Sequence, residues 1–259
     1  MNKKTFPKKR FGQNFLTDFH YLKRLVSLLR LKKNDHIVEI GPGKGALTQH
    51  ALPLVFRYDA IEIDRDLVPF LEKNFGHFLT FFLHNVDALK FNFTNLHLGQ
   101  PMRLIGNLPY NISSPLLFHL FSANHLIQDM HFMLQFEVAK RIVAKPNTSE
   151  YGRLSVMTQY FCHTKLLLKV PSEAFTPKPK VLSAFVLLIP KAKQMMNAQN
   201  EAVLSAVVKE AFTYRRKTLG NSLKKYISTN QLTALEIDSM RRAQTLSVDE
   251  FVKIANSIS

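Results

Sequence analysis

The 259-residue chain has a single cysteine, Cys162, so no disulfide can close within it and clusters held by several thiolates are excluded. Its ten histidines contain no pair at helical ligand spacing and no HExxH, so no metal site is expected. No apolar run approaches the roughly 18 residues that span a bilayer. The opening "MNKKTFPKKRFGQNFL" is basic but has no apolar stretch of the secretory kind. These absences point to a metal-free, cytoplasmic protein, and nothing in the sequence calls for a dimer, so a monomer is expected. No internal repeat or low-complexity tract occurs either.

Acidic residues are the other scarcity, 19 Asp and Glu against 35 Lys and Arg. The imbalance is uneven. Residues 1–33 hold ten basic side chains and one acidic, residues 191–259 eleven and six, and the long middle fourteen and twelve. A near-neutral centre between basic ends fits a polyanion gripped at its flanks, and nucleic acid is the expected partner. The candidate contacts are Lys3, Lys4, Lys8, Lys9 and Arg10 in the N-terminal arm and Arg215, Arg216 and Lys217 in "YRRKT".

What is present reads as alternating strands and helices. "DFHYLKRLVSLLRL" (18–31) carries apolar residues at helical spacing behind Asp18, a fitting N-cap. Strands are expected in "DHIVEI", "RYDAIEID", "FLTFFLHNVDAL", "MRLIGNLPY", "MHFMLQF", "KLLLKV" and "AFVLLIP", with helical patterns such as "SPLLFHLFS" and "LSVMTQYF" between them. The alternation predicts an α/β fold with a mostly parallel sheet and helices on both faces. "PKAKQMMNAQN" (190–200) reads as a linker, and only helical patterns follow it. The expected organisation is a domain over residues 1–190 and a small helical domain over 191–259.

Of only nine glycines, Gly41, Gly43 and Gly45 fall together in "EIGPGKGAL", directly between a strand and a helix. Glycine there permits a tight turn and close approach of backbone to a ligand. No "GK[ST]" closes the loop, so it is not a triphosphate grip. Glu62 stands 21 residues after Gly41, between Ile61 and Ile63, where a carboxylate can accept from both hydroxyls of a ribose. Asp64, which starts the following turn, is the weaker candidate. Asp87 is placed either to accept from an adenine amine or to cap a turn. These parts suit an adenosine-bearing cofactor and leave open whether it carries nicotinamide or a sulfonium.

"GNLPY" (106–110) ends the fourth predicted strand with chemistry that favours the second choice. An exocyclic adenine amine is a poor nucleophile, because its lone pair is delocalised into the ring. A site assists by accepting both of its hydrogens in directions that suit a tetrahedral nitrogen. Asn107 offers an amide oxygen, Leu108 a carbonyl, Pro109 a rigid backbone and Tyr110 a ring to clamp the base.

The set "FGQNFL" (11–16), "EIGPGKGALT" (39–48), "EID" (62–64), "GNLPYNISSPLL" (106–117) and "FTPKPKVLSAF" (175–185) resembles the ribosomal RNA adenine dimethyltransferase family. The similarity runs on into "AFTYRRKTLGNSLK" (211–224) and is greatest to the KsgA-type branch. It implies a Rossmann-like class I methyltransferase sheet of seven strands, a small all-helical C-terminal domain and S-adenosylmethionine as cofactor. It implies dimethylation of two adjacent adenosines in a hairpin loop near the 3′ end of 16S ribosomal RNA, presented in a partly assembled 30S particle. Large-subunit RNA, the target of the related erythromycin-resistance enzymes, is the alternative substrate, and a mainly non-catalytic assembly factor the alternative role. By the same resemblance Asn14 and Leu16 join Gly41, Gly43, Glu62, Asp87 and Asn107 around the cofactor, and Phe175 forms a second aromatic wall facing Tyr110. Without the family, "TPKPKV" is only a rigid, basic turn.

Overall fold

A computed structural model describes residues 13–109 and 111–258. Its strands, in chain order, are β1 (Phe15–Leu16), β2 (His36–Ile40), β3 (Arg57–Ile61), β4 (Phe81–His84), β5 (Met102–Asn107), β6 (Ile127–Gln135), β7 (Cys162–Val170), β8 (Phe175–Thr176) and β9 (Ser183–Pro190). The helices are α1 (Phe19–Leu29), α2 (Thr48–Ala51), α3 (Val68–Phe75), α4 (Ser113–Phe121), α5 (Phe136–Val143), α6 (Arg153–Phe161), α7 (Glu201–Thr213), α8 (Leu219–Ser222), α9 (Thr229–Ala234) and α10 (Val248–Asn256).

Seven strands form one sheet in the order β4-β3-β2-β5-β6-β9-β7. The run from β4 to β6 is parallel, and β9 enters antiparallel beside β6. All five residues of β2 are buried, the polar His36 and Glu39 included, as in a parallel sheet covered on both faces. Where β2 meets β5 the backbones approach closely: a Cβ on Gly106 would lie 2.5 Å from the Ile40 carbonyl oxygen, so no other residue fits there without a shift. The strand order reverses at this pair, since β3 and β4 continue to one side of β2 and β6 lies beyond β5.

Helix α1 shows how pattern becomes packing. Asp18 caps it through its side chain, which accepts from the Tyr21 N–H at 3.1 Å. Leu22, Leu25 and Leu29 lie on one face and are buried in the core beside Ile37, Tyr58 and Ile105, each contributing about 1.5–3 kcal/mol. The helix expected behind the glycine loop is much shorter. Only the four residues of α2 are helical, and a 3-10 turn over Leu52–Leu54 with Pro53 inside it follows. A stretch of this length sums few peptide dipoles, so the loop gains little of the anion-binding field of a full helix.

The chain divides into two compact units. One comprises residues 13–139 and 165–190 of the described chain and contains most of the sheet. The other gathers Lys140–Thr164 with the residues after Pro190, so the segment between α5 and β7 groups with the C-terminal helices rather than with the sheet. In this second unit α7 carries the buried Leu204, Val207, Val208 and Ala211, and α10 the buried Phe251, Val252, Ile254 and Ala255.

Two strands of two residues each escape any reading of periodicity. Phe15 pairs with Thr176 and Leu16 with Phe175 in an antiparallel ladder, β1 with β8. The Thr17 N–H extends it by donating to the Ala174 carbonyl at 2.9 Å. This ladder joins the "QNFL" and "FTPKP" segments, which lie some 160 residues apart in the sequence.

Candidate active site

Ligands in open α/β sheets bind outside the carboxyl ends of the strands, where strand order reverses. A cavity of about 310 Å³ opens at that place, next to the ends of β2 and β5. Asn14 and Leu16 line it from the N-terminal segment, Gly41 and Gly43 from the turn after β2, Glu62 from the end of β3 and Asp87 from the turn after β4. Asn107, Leu108 and Pro109 line it from the end of β5. Four parallel strands thus deliver their terminal residues to one wall.

The glycine loop is shaped by its contacts. Gly43 has φ +60°, in the left-handed region, and a Cβ there would come within 2.8 Å of the Phe15 ring. Its N–H donates to Glu62 Oε2 at 3.1 Å, and the Asp64 N–H donates to Glu62 Oε1 at 2.8 Å. Burial pushes the Glu62 carboxyl up from its usual range, and the two backbone donors pull the other way. Asp64 is turned to other work. Its carboxylate accepts from the Gln13 side-chain amide at 3.1 Å and from the Asp66 N–H at 3.2 Å. Of the two carboxylates weighed for the ribose, Glu62 is the one on the cavity wall. Asp87 uses Oδ1 to accept from the Leu89 N–H at 3.0 Å, so the turn-capping role weighed for it is realised while it also faces the cavity.

At the end of β5, Asn107 Nδ2 donates to the backbone carbonyl of Asn14 at 2.7 Å. A carbonyl can only accept, so the contact fixes which end of the amide is nitrogen, and among the described residues nothing donates to the Asn107 oxygen. The Leu108 N–H is taken by Met133 O at 3.1 Å, and the Pro109 carbonyl accepts from the Ile112 N–H and the Ser113 hydroxyl at 3.2 and 3.0 Å. Among the described residues none donates to the Leu108 carbonyl. The turn is held rigidly from both sides while these two acceptors remain available.

Other predicted residues lie elsewhere. Phe175 is 3% exposed and belongs to the hydrophobic core with Leu16, Leu22 and Val170, not to the cavity wall. Its pairing with Leu16 in the β1–β8 ladder commits it to that packing. Tyr110 lies outside the described residues, as do Lys3, Lys4, Lys8, Lys9 and Arg10. Arg215, Arg216 and Lys217 are exposed on the second unit. Arg215 donates to the carbonyls of Ser149 and Tyr151, and the Lys217 ammonium sits 4.3 Å from the centre of the Tyr214 ring.

One wall residue was not anticipated. Glu39, fully enclosed, accepts from the Tyr58 hydroxyl at 2.6 Å and from the Thr48 hydroxyl, and burial pushes its carboxyl up to about 7. It thereby ties the end of the glycine loop to β2 and β3. The signal used for Glu62, a carboxylate between two apolar strand residues, is equally present at Glu39 between Val38 and Ile40.

Comparison with known proteins gives this geometry its context. The profile described as "Ribosomal RNA adenine dimethylase" matches residues 5–259. The "Ribosomal RNA small subunit methyltransferase A" of Coxiella burnetii (strain CbuG_Q212) is 51% identical over 99% of this chain and 100% of its own length. The protein of that name from Chromohalobacter salexigens is 50% identical over 97% of this chain and 91% of its own. Among solved structures, a dimethyladenosine transferase from Plasmodium falciparum superposes with a TM-score of 0.80 at 27% identity, over 93% of this chain and 95% of that one. The 23S rRNA methyltransferase ErmE, at 23% identity and a TM-score of 0.72, shares the fold. The match covers nearly the whole chain, and the chain belongs to the ribosomal RNA adenine dimethylase family.

Proposed function

We propose that the chain dimethylates the exocyclic amines of two adjacent adenosines in the 3′ hairpin loop of small-subunit ribosomal RNA, within a partly assembled 30S particle. The observation that carries this reading is the end of β5, where Asn107 and Leu108 line the same cavity as Glu62 and Asp87 and, among the described residues, nothing donates to the Asn107 oxygen or the Leu108 carbonyl.

The residues present fit S-adenosylmethionine better than a dinucleotide. A pyrophosphate seeks a helix N-terminus, and α2 has only four residues. Among the described residues Lys44 is the one basic side chain on the wall. Glu62 would hold the ribose hydroxyls, Asp87 the adenine amine, and Asn14 and Leu16 would close the pocket from the N-terminal side. S-adenosylmethionine supplies a methyl group on a sulfonium, transferred with the C–S electron pair left on sulfur as the new C–N bond forms.

The protein's own contribution is to aim the acceptor nitrogen. Asn107 and Leu108 take its two hydrogens, which directs the lone pair away from the ring plane. Pro109 and the contacts of its carbonyl keep the turn from relaxing. Alignment of this kind is worth up to about 7–11 kcal/mol in intramolecular systems. After transfer the cationic amine releases a proton to solvent, so no dedicated base is required. One N–H then remains for a second round against the same acceptors. Tyr110 would stack on the flipped base, a contact worth about 1–3 kcal/mol. Phe175, buried against Leu16, acts instead by holding the N-terminal segment in place.

The test is transfer of labelled methyl from S-adenosylmethionine to small subunits lacking the modification, with large-subunit RNA and DNA as competing acceptors. Label in small-subunit RNA alone is expected. Binding without transfer would reduce the protein to an assembly factor.

A further inference from the structure

The exposed face of α1 has a composition that packing does not require. Phe19, His20, Lys23, Arg24, Ser27 and Arg30 point outward, and the turn that follows adds Lys32 and Lys33. Five cations thus share one surface. The only acidic side chain between residues 13 and 34 is Asp18, already spent on capping the Tyr21 N–H. Asp35, the next acid, is buried and paired with Arg103. No carboxylate among the described residues pairs with Lys23, Arg24, Arg30, Lys32 or Lys33. Surface helices ordinarily intersperse charges of both signs and gain i,i+4 pairs by doing so. This one does the opposite.

Its position is equally specific. Phe19 is 57% exposed, with the Lys23 ammonium 4.5 Å from its ring centre and the His50 ring 6.1 Å away. His50 lies in α2, directly after the glycine loop, and Phe15 and Thr17, just before α1, line the cavity. The helix therefore starts at the mouth of the site and runs about 16 Å from it. Arg30 ends it at φ 47°, a left-handed position that glycine occupies without strain.

We infer that the outward face of α1 is a docking ridge for the sugar–phosphate backbone of the substrate RNA beside the flipped adenosine, with Phe19 as a stacking platform for one unpaired base. Lys23, Arg24 and Arg30 neutralise phosphates along the helix, and Lys32 and Lys33 extend the track. An exposed aromatic ring among unpaired cations is the arrangement that single-stranded nucleic acid rewards. The inference rests on the reading of the chain as an RNA methyltransferase and adds a contact surface on the sheet-bearing unit.

The test compares the wild-type protein with a Lys23→Gln/Arg24→Gln/Arg30→Gly variant for binding to unmodified small subunits from 50 to 200 mM salt. Each lost phosphate contact removes about 0.7–0.9 from the slope of log affinity against log salt, so the slope should fall by about 2–3 and affinity roughly 10- to 100-fold. Binding of S-adenosylmethionine and the thermal midpoint should not fall, because these side chains are exposed and glycine suits position 30. A Lys73→Gln/Lys209→Gln/Lys253→Gln variant, with the same loss of charge at other exposed sites, should keep the wild-type slope. Phe19→Ala should weaken binding roughly tenfold with the slope unchanged. Wild-type affinity and slope in the α1 variant, or equal losses in the control variant, would overturn the ridge while leaving the proposed activity standing. A wild-type protein that neither binds nor methylates small-subunit RNA would end both.

Discussion

The Asn107 side chain donates to the Asn14 backbone carbonyl at 2.7 Å, so a residue of the N-terminal segment sets the orientation of the amide at the end of β5. Replacing Asn107 with alanine should leave S-adenosylmethionine affinity within a few-fold of wild type and lower kcat about 10²–10³-fold, the loss typical of one preorganised polar group. Asn107→Asp should be no milder. An aspartate keeps an acceptor but cannot donate to Asn14, and the two oxygens would repel. Single-turnover methylation alongside calorimetric cofactor binding separates the two effects.

The Gln13–Asp64 hydrogen bond, at 3.1 Å, ties the same N-terminal segment to the turn after β3. Gln13→Ala should weaken cofactor binding about 3- to 10-fold, as a hydrogen bond to a partly screened carboxylate would. Asp64→Asn should cost less, because an amide oxygen can still accept from Gln13. Isothermal titration of both variants with S-adenosylmethionine provides the check.

Gly106→Ala should destabilise the sheet where β2 meets β5, beside the cavity-lining Ile40 and Leu108. The added Cβ would press on the Ile40 carbonyl 2.5 Å away, and backbone cannot rotate aside. A cost of about 1–3 kcal/mol and a drop in Tm of about 2–10 °C are expected by calorimetry.

Glu39 makes stability depend on pH in a definite sense. Its carboxyl titrates near 4.5 when unfolded and at about 7 in the folded chain, so between these values the native state binds the extra proton. This contribution is fully present below pH 4.5 and is lost as pH rises to 7, by roughly 3 kcal/mol. Glu39→Gln retains an acceptor for Tyr58 and Thr48 and removes the titration. The difference in unfolding free energy between wild type and variant should therefore shift against the wild type from pH 5 to pH 7.5. A constant difference would show that Glu39 is ionised throughout.

Much of this site was written in the sequence because parallel strands end in step. Gly41 and Glu62 directly follow β2 and β3, Asn107 ends β5, and Asp87 lies in the turn after β4. Placing the runs in one parallel sheet is enough to gather them. What was illegible has no periodicity to betray it. A ladder of two residues, Phe15–Leu16 against Phe175–Thr176, leaves no alternating pattern, so the meeting of the two segments needs coordinates. The Asn14 carbonyl is main chain, and no side-chain letter encodes its role. Phe175 shows the opposite fault: an aromatic residue in a motif invites a stacking role, and only its register opposite Leu16 reveals that its ring is spent on the core. The short α2 was hidden because "ALTQHALPL" has helical spacing, and Pro53 stops the helix only after one turn.

The most direct test maps the modified nucleotides after small subunits lacking the modification are incubated with S-adenosylmethionine and either the wild-type protein or Asn107→Ala. The wild type should place two methyl groups on each of two neighbouring adenosines in the 3′ hairpin loop, and the variant should leave them almost unmodified under equal cofactor saturation. Methylation elsewhere, or full dimethylation by the variant, would contradict the account.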